Sequence, residues 1–419
     1  MCIRDRVKDI PNRLDYEQIT IEAVIEQAIR THPSISKSQL TFENSLEAIK
    51  IARSVRYPQT NLNLSYGFAD LSRGSTHGGL EVGKFELGSR LLIGDFGASK
   101  YQIKAAKDRM SAAQASLANR KNIIALAAVE SFVDVLEERL ALDFGRIAYT
   151  DYRNIKLKLR ETGLDSDADI NQVIASKDSI CATIASLKAE ENRALNFYEA
   201  VLDYKPTDYF LVDPTMLPVE LNLDVAIKNA MDKNPMFLQS RHSLNSAENS
   251  YRSTKKNSLP KIYADSSYKT QDQFSNNFGD SSSDEFFVGA TFVIPITDGG
   301  RRKAQRSQAR RNVTIAENSV EETRRALRQQ ISNLVFELGV AQDRITQLES
   351  AVEANRKAYE EMRDRLIVNG AVDSQNLINM LNQRNSLYQA QVQLNTQRYA
   401  LILDSYSLKA LQGPLVTDY

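Results

Sequence analysis

The stretch NLNLSYGF, residues 61–68, puts Leu62, Leu64, Tyr66 and Phe68 at every second position, with Asn61, Asn63, Ser65 and Gly67 between them. Successive side chains of a strand point to opposite faces, so this spacing predicts a strand with one apolar face and one small, polar face. A second run follows after the Gly/Ser-rich link SRGSTHGG. In it Phe85, Leu87, Leu91 and Ile93 share one face, opposite Lys84, Glu86, Gly88 and Arg90. The surrounding sequence is helical in pattern for hundreds of residues. The fold therefore turns on what a greasy strand face does in a mostly helical chain.

The pattern occurs twice. Placing residue 31 onward above residue 233 onward aligns Pro33 with Pro235, Pro58 with Pro260 and Tyr66 with Tyr268, without a gap. Further on, GDFGASK (residues 94–100) meets TDGGRRK (297–303), and Gly163 in ETGLDSD meets Gly370 in VNGAVDS. The period is far longer than that of solenoid repeats and indicates a duplicated unit. Each copy reads helix, helix, strand, strand, long helix, long helix. The strands of the second copy are less evenly patterned. In its later one Phe286, Val288, Ala290, Phe292 and Ile294 alternate with Phe287, Gly289, Thr291, Val293 and Pro295, while its first strand alternates poorly.

The long helices carry heptads. Leu338, Ile345, Val352, Tyr359 and Leu366 stand seven apart, as do Met380, Leu387, Leu394, Leu401 and Leu408. In the first copy Val173, Ile180, Leu187, Ala194 and Val201 take the same register. These are a/d seams, the signature of packed helices. Residues 97–160 and 300–366 contain no proline. Helices of that length would each span roughly 95–100 Å at about 1.5 Å per residue, which suits a tube or a stalk. The division expected is residues 1–15 as a disordered or artefactual N-terminus and 16–204 as the first repeat, with strands at about 57–71 and 82–93 and long helices at about 97–160 and 165–203. A linker at 205–218 leads to the second repeat, 219–412, with strands at about 261–270 and 286–296 and long helices at about 300–367 and 373–411, then a tail at 413–419.

Composition narrows the function classes. Lys+Arg and Asp+Glu both number 53, so the formal net charge is zero, unlike the basic excess of a general nucleic-acid binder. Charged residues make up 25% and mean hydropathy is −0.40. No apolar run is long enough for a membrane helix, which leaves open a membrane β-barrel with its weak per-strand signal. Neither cysteine has CxxC spacing, and His32, His77 and His242 lack ligand spacing, so no metal or cofactor is expected. No P-loop, GxSxG or HExxH is present, and the chain does not read as an enzyme. The opening MCIRDR reads as a cloning or assembly scar, with an export signal lost upstream.

Four strands with one greasy face cannot close on themselves, since the smallest membrane barrels have about eight. Three chains would supply twelve. The greasy face would then meet lipid, and Asn61, Asn63, Ser65, Lys84 and Arg90 would line a water-filled lumen. A soluble sandwich patch packed on the helices accounts for the same alternation.

The full order of elements resembles the outer-membrane efflux protein family, the TolC-like ducts. The resemblance covers about residues 16–412. It is carried by the HP and NP turns before the second helix of each copy, by RYPQTNLNLSYGF and SLPKIYADSSY into the strands, by LLIGDFGASK and FVIPITDGGRRK out of them, and by ETGLDSDADINQV and VNGAVDSQNLINM between the long helices. It implies a mainly α chain with a membrane β-barrel part: a homotrimer with a twelve-stranded barrel and an α-helical periplasmic tunnel, placed in the outer membrane and reaching into the periplasm. It implies a passive conduit served by a periplasmic adaptor (membrane fusion) protein and an inner-membrane ABC or proton-driven transporter, with outer-membrane lipid and no nucleic acid among its partners. By position from the tip glycines, Asp169, Asn376 and Asn379 correspond to the family's pore constriction, whereas the tyrosine and arginine links of that constriction fall on Ile367 and Val372 and are absent. Gly163, Leu164, Gly370 and Ala371 correspond to the adaptor-docking turns. For Asp165, Ser166, Asp373 and Ser374 helix capping is the expected role. The first-copy hairpin and the ALAAVESFVDVLEER helix look closer to the type I secretion branch than to the multidrug efflux branch. A soluble coiled-coil scaffold or a periplasmic adaptor is the competing class.

Overall fold

The structure is a computed structural model that describes residues 18–73, 76–162, 166–206, 210–211, 214–275, 280–368 and 374–415. The element order is β1 (Gln18–Ile19), α1 (Ile21–Thr31), α2 (Pro33–Ser54), β2 (Gln59–Arg73), β3 (Thr76–Gly94), α3 (Ala98–Thr162) and α4 (Asp167–Leu202). The series then repeats as β4 (Phe210–Leu211), α5 (Leu223–Lys233), α6 (Pro235–Lys256), β5 (Lys261–Ser275), β6 (Ser281–Val293), α7 (Arg301–Val368) and α8 (Ser374–Gln412). The duplication read from the sequence is thus a duplication of structure. Among the described residues no helix is both long and apolar enough to cross a membrane.

Local chemistry explains the matched boundaries. Pro33 and Pro235 open α2 and α6, where a missing N–H costs nothing. The residues before them, His32 and Asn234, are extended and cap α1 and α5, because a following proline disfavours the helical region. The strand-to-helix junctions match as well. Asp95 accepts from the backbone N–H of Gly97 and Ser99, and Asp298 accepts from that of Arg302. Phe96 and Gly299 are both left-handed, with φ of 52° and 65°, and Gly97 and Gly300 both have φ of 89°. Glycine adopts that region freely, whereas a residue with a Cβ is held there at a cost of roughly 1–2 kcal/mol.

The chain forms two compact units, and each draws on both repeats. One comprises residues 1–37, 117–235 and 324–419, the other 38–116 and 236–323. Among its described residues the first has helices and one strand pairing, a parallel β1–β4 ladder of Gln18 with Phe210 and Ile19 with Leu211. Its largest core gathers Val24 and Ala28 of α1, Val129 and Phe132 of α3, Tyr198 and Leu202 of α4, and Tyr406 of α8. A second core joins Tyr152 and Leu159 of α3, Val173 of α4, Tyr359 of α7, and Leu377 and Met380 of α8. The heptad positions Val173, Ile180, Leu338, Ile345, Tyr359, Met380, Leu387 and Leu408 are all buried.

The second unit carries the antiparallel sheet, ordered β2-β3-β5-β6. The β3–β5 seam joins the two repeats. In the helices of the same unit, Ile49 and Ala52 of α2 pack on Ala106 of α3. Ser246 and Ser253 of α6 donate to the carbonyls of Ala105 and Ala98.

Candidate functional site

Strand register fixes the two sheet faces. Leu62 lies opposite Leu87, Leu87 opposite Tyr268, and Tyr268 opposite Phe286, so one row crosses all four strands on a single face. The same face holds Leu64, Tyr66, Phe68, Phe85, Leu91, Val288 and Phe292. Phe68 is 79% exposed and Phe286 73%. Among the described residues nothing covers this face. Singly exposed apolar side chains are normal, but a contiguous patch of this kind marks an interaction surface. The poor alternation of β5 has a simple cause: Ala264, Ser266 and Thr270 occupy its places on the apolar face.

Asn61, Asn63, Ser65, Lys84 and Arg90 all fall on the opposite face. Asn63, Glu86, Lys269 and Glu285 form one cross-strand row, and Ser65, Lys84, Gln271 and Ser283 the next. Arg90 faces Asp265 directly, with Nε donating at 2.6 Å, and its guanidinium lies 5.2 Å from the Tyr263 ring centroid. Lys84 has no carboxylate within ion-pair distance among the described residues. The polar face changes character on β6. There the Phe287 ring lies over Gly289, so near that an added Cβ would stand 2.7 Å from it.

The other candidate region is where the long helices of each pair approach their turns. Ser166 caps α4: its hydroxyl accepts from the Asp169 N–H at 3.2 Å and donates to the Asp169 carboxylate at 2.6 Å. Both contacts run through the one hydroxyl, which ties the carboxylate to the cap, and Asp169 is 7% exposed. Asn376 and Asn379 are exposed on the first turns of α8, and Gln375 donates to Asn379 Oδ1 at 3.1 Å. The equivalent positions Asp169 and Asn376 are thus placed differently, one inside its cap and one open. Gly163, Leu164, Asp165, Gly370, Ala371, Val372 and Asp373 lie outside the described residues.

Behind α8's first turns sits a group that sequence reasoning passed over. Arg384 is 1% exposed, and its Nε donates to Asp151 Oδ2 of α3 at 2.6 Å. Its guanidinium lies 5.6 Å from the Tyr359 ring centroid, while Nη1 is buried without an acceptor among the described residues. Tyr152 donates to the Leu381 carbonyl at 3.4 Å. Burial pushes the Tyr359 hydroxyl up to about 12, the Asp151 charge adding to the rise and the Arg384 and Arg363 charges opposing it. The cluster ties α3 of the first repeat to α7 and α8 of the second. The one signal was an arginine standing between Met380 and Leu387 on an apolar stripe; its counter-ion lies 233 residues away.

The comparisons follow the same lines. Residues 226–414 match the family described as outer membrane efflux protein. The chain is 22% identical to the outer membrane protein TolC of Escherichia coli (strain K12) over 417 residues, which covers 94% of this chain and 82% of that one. It is also 22% identical to the outer membrane efflux protein BepC of Brucella suis, covering 95% of this chain and 86% of that one. Its fold superposes on the crystal structure of the outer membrane protein VceC from Vibrio cholerae with a TM-score of 0.80 at 18% identity, covering 94% and 97% of the two chains. The repeated element order, the family match over residues 226–414 and these full-length similarities all liken the chain to the outer membrane efflux proteins.

Proposed function

We propose that the protein is a passive exit duct of the outer membrane that extends into the periplasm and acts as a homotrimer. The observation that carries this reading is the sheet: among the described residues its apolar face is bare, and its two edges, β2 and β6, are long and unpaired. β2 has 15 residues and β6 has 13, more than the roughly 9–11 that span a bilayer as a tilted strand. Unpaired backbone groups in lipid cost several kcal/mol each, so spanning sheets close. Strands β2 and β6 run in opposite directions, so β6 of one copy can pair with β2 of the next in the antiparallel sense. Three copies then close twelve strands. In that ring Leu62, Leu64, Phe68 and Phe286 face lipid, while Asn61, Asn63, Ser65, Lys84 and Arg90 face the lumen.

At the other end of the long helices, Asp169, Asn376 and Asn379 form the constriction and the turns at Gly163, Leu164, Gly370 and Ala371 receive the adaptor. With two of the three constriction positions amidated, the acidic ring is weak. The energy comes from an inner-membrane transporter. The substrate we propose is an unfolded protein of type I secretion, on the resemblance of the first-copy hairpin and α3 to that branch; similarity to an efflux protein from Brucella suis keeps multidrug efflux as the second reading.

Single-channel current in a planar bilayer, with the detergent-extracted protein sized by light scattering, tests the duct. A trimer with steady channels is expected. A detergent-independent monomer without conductance would overturn the reading. Asp169→Ala should weaken cation selectivity, and unchanged selectivity would remove Asp169 from the constriction. In the source cell, gene deletion should abolish secretion of one protein without changing drug sensitivity; the opposite pattern would assign the efflux branch.

A further inference from the structure

Where the sheet passes into helix, one tyrosine collects three cations. The Tyr101 ring of α3 has Lys104 Nζ at 5.8 Å, Lys256 Nζ at 5.8 Å and the Arg252 guanidinium at 6.0 Å from its centroid. A ring quadrupole attracts one cation well, but cations gathered around one ring repel each other unless an anion joins them. Arg252 has Glu248 at 3.3 Å. Lys104 and Lys256 have no carboxylate within ion-pair distance among the described residues, and Lys256 donates instead to the Phe96 carbonyl at 2.9 Å. Lys100 and Lys107 stand four before and three after Lys104, on the same exposed helix face. Two acids nearby in sequence are engaged elsewhere: Asp108 accepts from Asn249 at 2.7 Å, and Asp95 accepts from the Gly97 and Ser99 N–H groups.

The position is as informative as the charge. Tyr101 lies seven residues after Gly94, the last residue of β3, and Lys256 five residues before Lys261, the first of β5. Tyr101 and Lys256 therefore sit within about two helical turns, roughly 10 Å, of the sheet's end, and Lys104 and Arg252 about one turn further. Ile93 at the end of β3 and Phe96 just beyond it stand on the sheet side of the cations, both exposed large apolar side chains. An apolar band, then an aromatic ring, then long cationic side chains is the order in which a membrane boundary is met. The second repeat has Ala304 where the first has Tyr101, so the cluster exists once per chain.

We propose that Lys104, Lys256 and Tyr101, with Lys100, Lys107 and Arg252 around them, form a binding site for the phosphate headgroup of an anionic phospholipid in the periplasm-facing leaflet. The Lys104 and Lys256 ammonium groups, neither paired with a carboxylate among the described residues, and the hydroxyl-bearing ring supply donors to phosphate oxygens, while Ile93 and Phe96 lie beside the acyl chains. The site rests on the outer-membrane reading above, and it gives the protein a preference among lipids that the sheet alone would not have.

Native mass spectrometry of the full-length protein in detergent tests it, with phosphatidylglycerol and phosphatidylcholine of matched acyl chains as the probes. Each basic residue near an anionic surface contributes roughly a fivefold preference, so two give about twentyfold or more. Wild type should hold phosphatidylglycerol more tightly than phosphatidylcholine by about that factor, and the preference should collapse as salt is raised. Lys104→Gln/Lys256→Gln should bring the two lipids level, and Lys104→Arg/Lys256→Arg should keep them apart. Equal retention of both lipids by wild type, or an undiminished preference in the Gln pair, overturns the proposal. Displacement of phosphatidylglycerol by millimolar inorganic phosphate assigns the cluster to free phosphate and overturns the lipid site. The salt titration needs wild type alone, so it decides the matter even where the Gln pair fails to assemble. A conducting trimer with no lipid preference loses this inference only, whereas a non-conducting monomer loses the duct itself.

Discussion

Removing the Asp151 carboxylate strands a guanidinium that water cannot reach. Arg384 is 1% exposed by side chain and Asp151 27%, with one 2.6 Å hydrogen bond between them. Breaking a fully buried pair from one side costs about 3–5 kcal/mol. Because Asp151 is open enough to admit some solvent, Asp151→Ala should cost nearer 2–3 kcal/mol. Removing both charges is different: in Asp151→Ala/Arg384→Met the methionine can pack against the Tyr359 ring, and no charge is left behind. That variant should lie within about 1 kcal/mol of wild type, giving a coupling energy of roughly 1.5 kcal/mol or more. For 419 residues, an unfolding entropy of about 2.1 cal/mol/K per residue turns 2.5 kcal/mol into a shift of roughly 3 °C. Thermal unfolding of the detergent-solubilised protein by far-UV circular dichroism reads it. The expected order is wild type and double variant together, with Asp151→Ala about 3 °C below. A single variant indistinguishable from wild type, or a double variant as low as the single one, would refute the argument that the stranded charge is the cost.

Three further outcomes are expected. Burial first, then the Glu130 and Glu137 charges, raise Asp134 from 3.8 to about 6; since the folded chain holds a proton that the unfolded chain releases, this contribution is intact below pH 4 and lost as pH rises through about 6, and Asp134→Asn should flatten that loss by about 1–2 kcal/mol once solvent access is allowed for, as a pH series of melting temperatures would read. Asn122 is buried, donates to the carbonyls of Ala410 and Gly413 and accepts from the Leu415 N–H; Asn122→Ala should cost about 2–3 kcal/mol and speed amide exchange at Gly413 and Leu415 selectively. In the proposed ring the β3–β5 seam is a template for the joint between copies: Leu87 pairs with Tyr268, and moving each partner to its counterpart in the other repeat places Ala290 beside Tyr66, so Ala290→Cys with Tyr66→Cys should cross-link copies to each other while Ala290→Cys with Asn63→Cys, on opposite faces, should not.

The strands were legible because their chemistry is local. Alternation in residues 61–68 and 286–294 names both faces without reference to anything distant, and glycine pairs and prolines at matched places mark the junctions. β5 was harder, since small residues fill its apolar side where aromatic neighbours on β3 and β6 supply the bulk. Asp169 was expected to lie inside its helix, which it does, but its carboxylate is engaged by Ser166 three residues earlier. Spacing alone could not say which of two compatible uses, cap or pore, the side chain serves. Arg384 and the Tyr101 cluster were out of reach for another reason. Their partners come from other helices, so no window of sequence contains both halves of either arrangement.

The seam between β3 and β5 bears on how such a chain came to exist. A single repeat has two strands, one edge like β2 and one like β6, and would need six copies to close the ring proposed here for three full chains. Every joint in that older ring would form only on collision. Fusion places half of the joints inside one polypeptide, where the effective concentration of one strand about the other is millimolar whatever the cell contains. The duplicated gene therefore lowers the abundance at which the ring can close, and it frees the two halves to diverge: Phe96 could replace a glycine at one junction, and Tyr101 could gather its lysines, without either change being imposed on the other half.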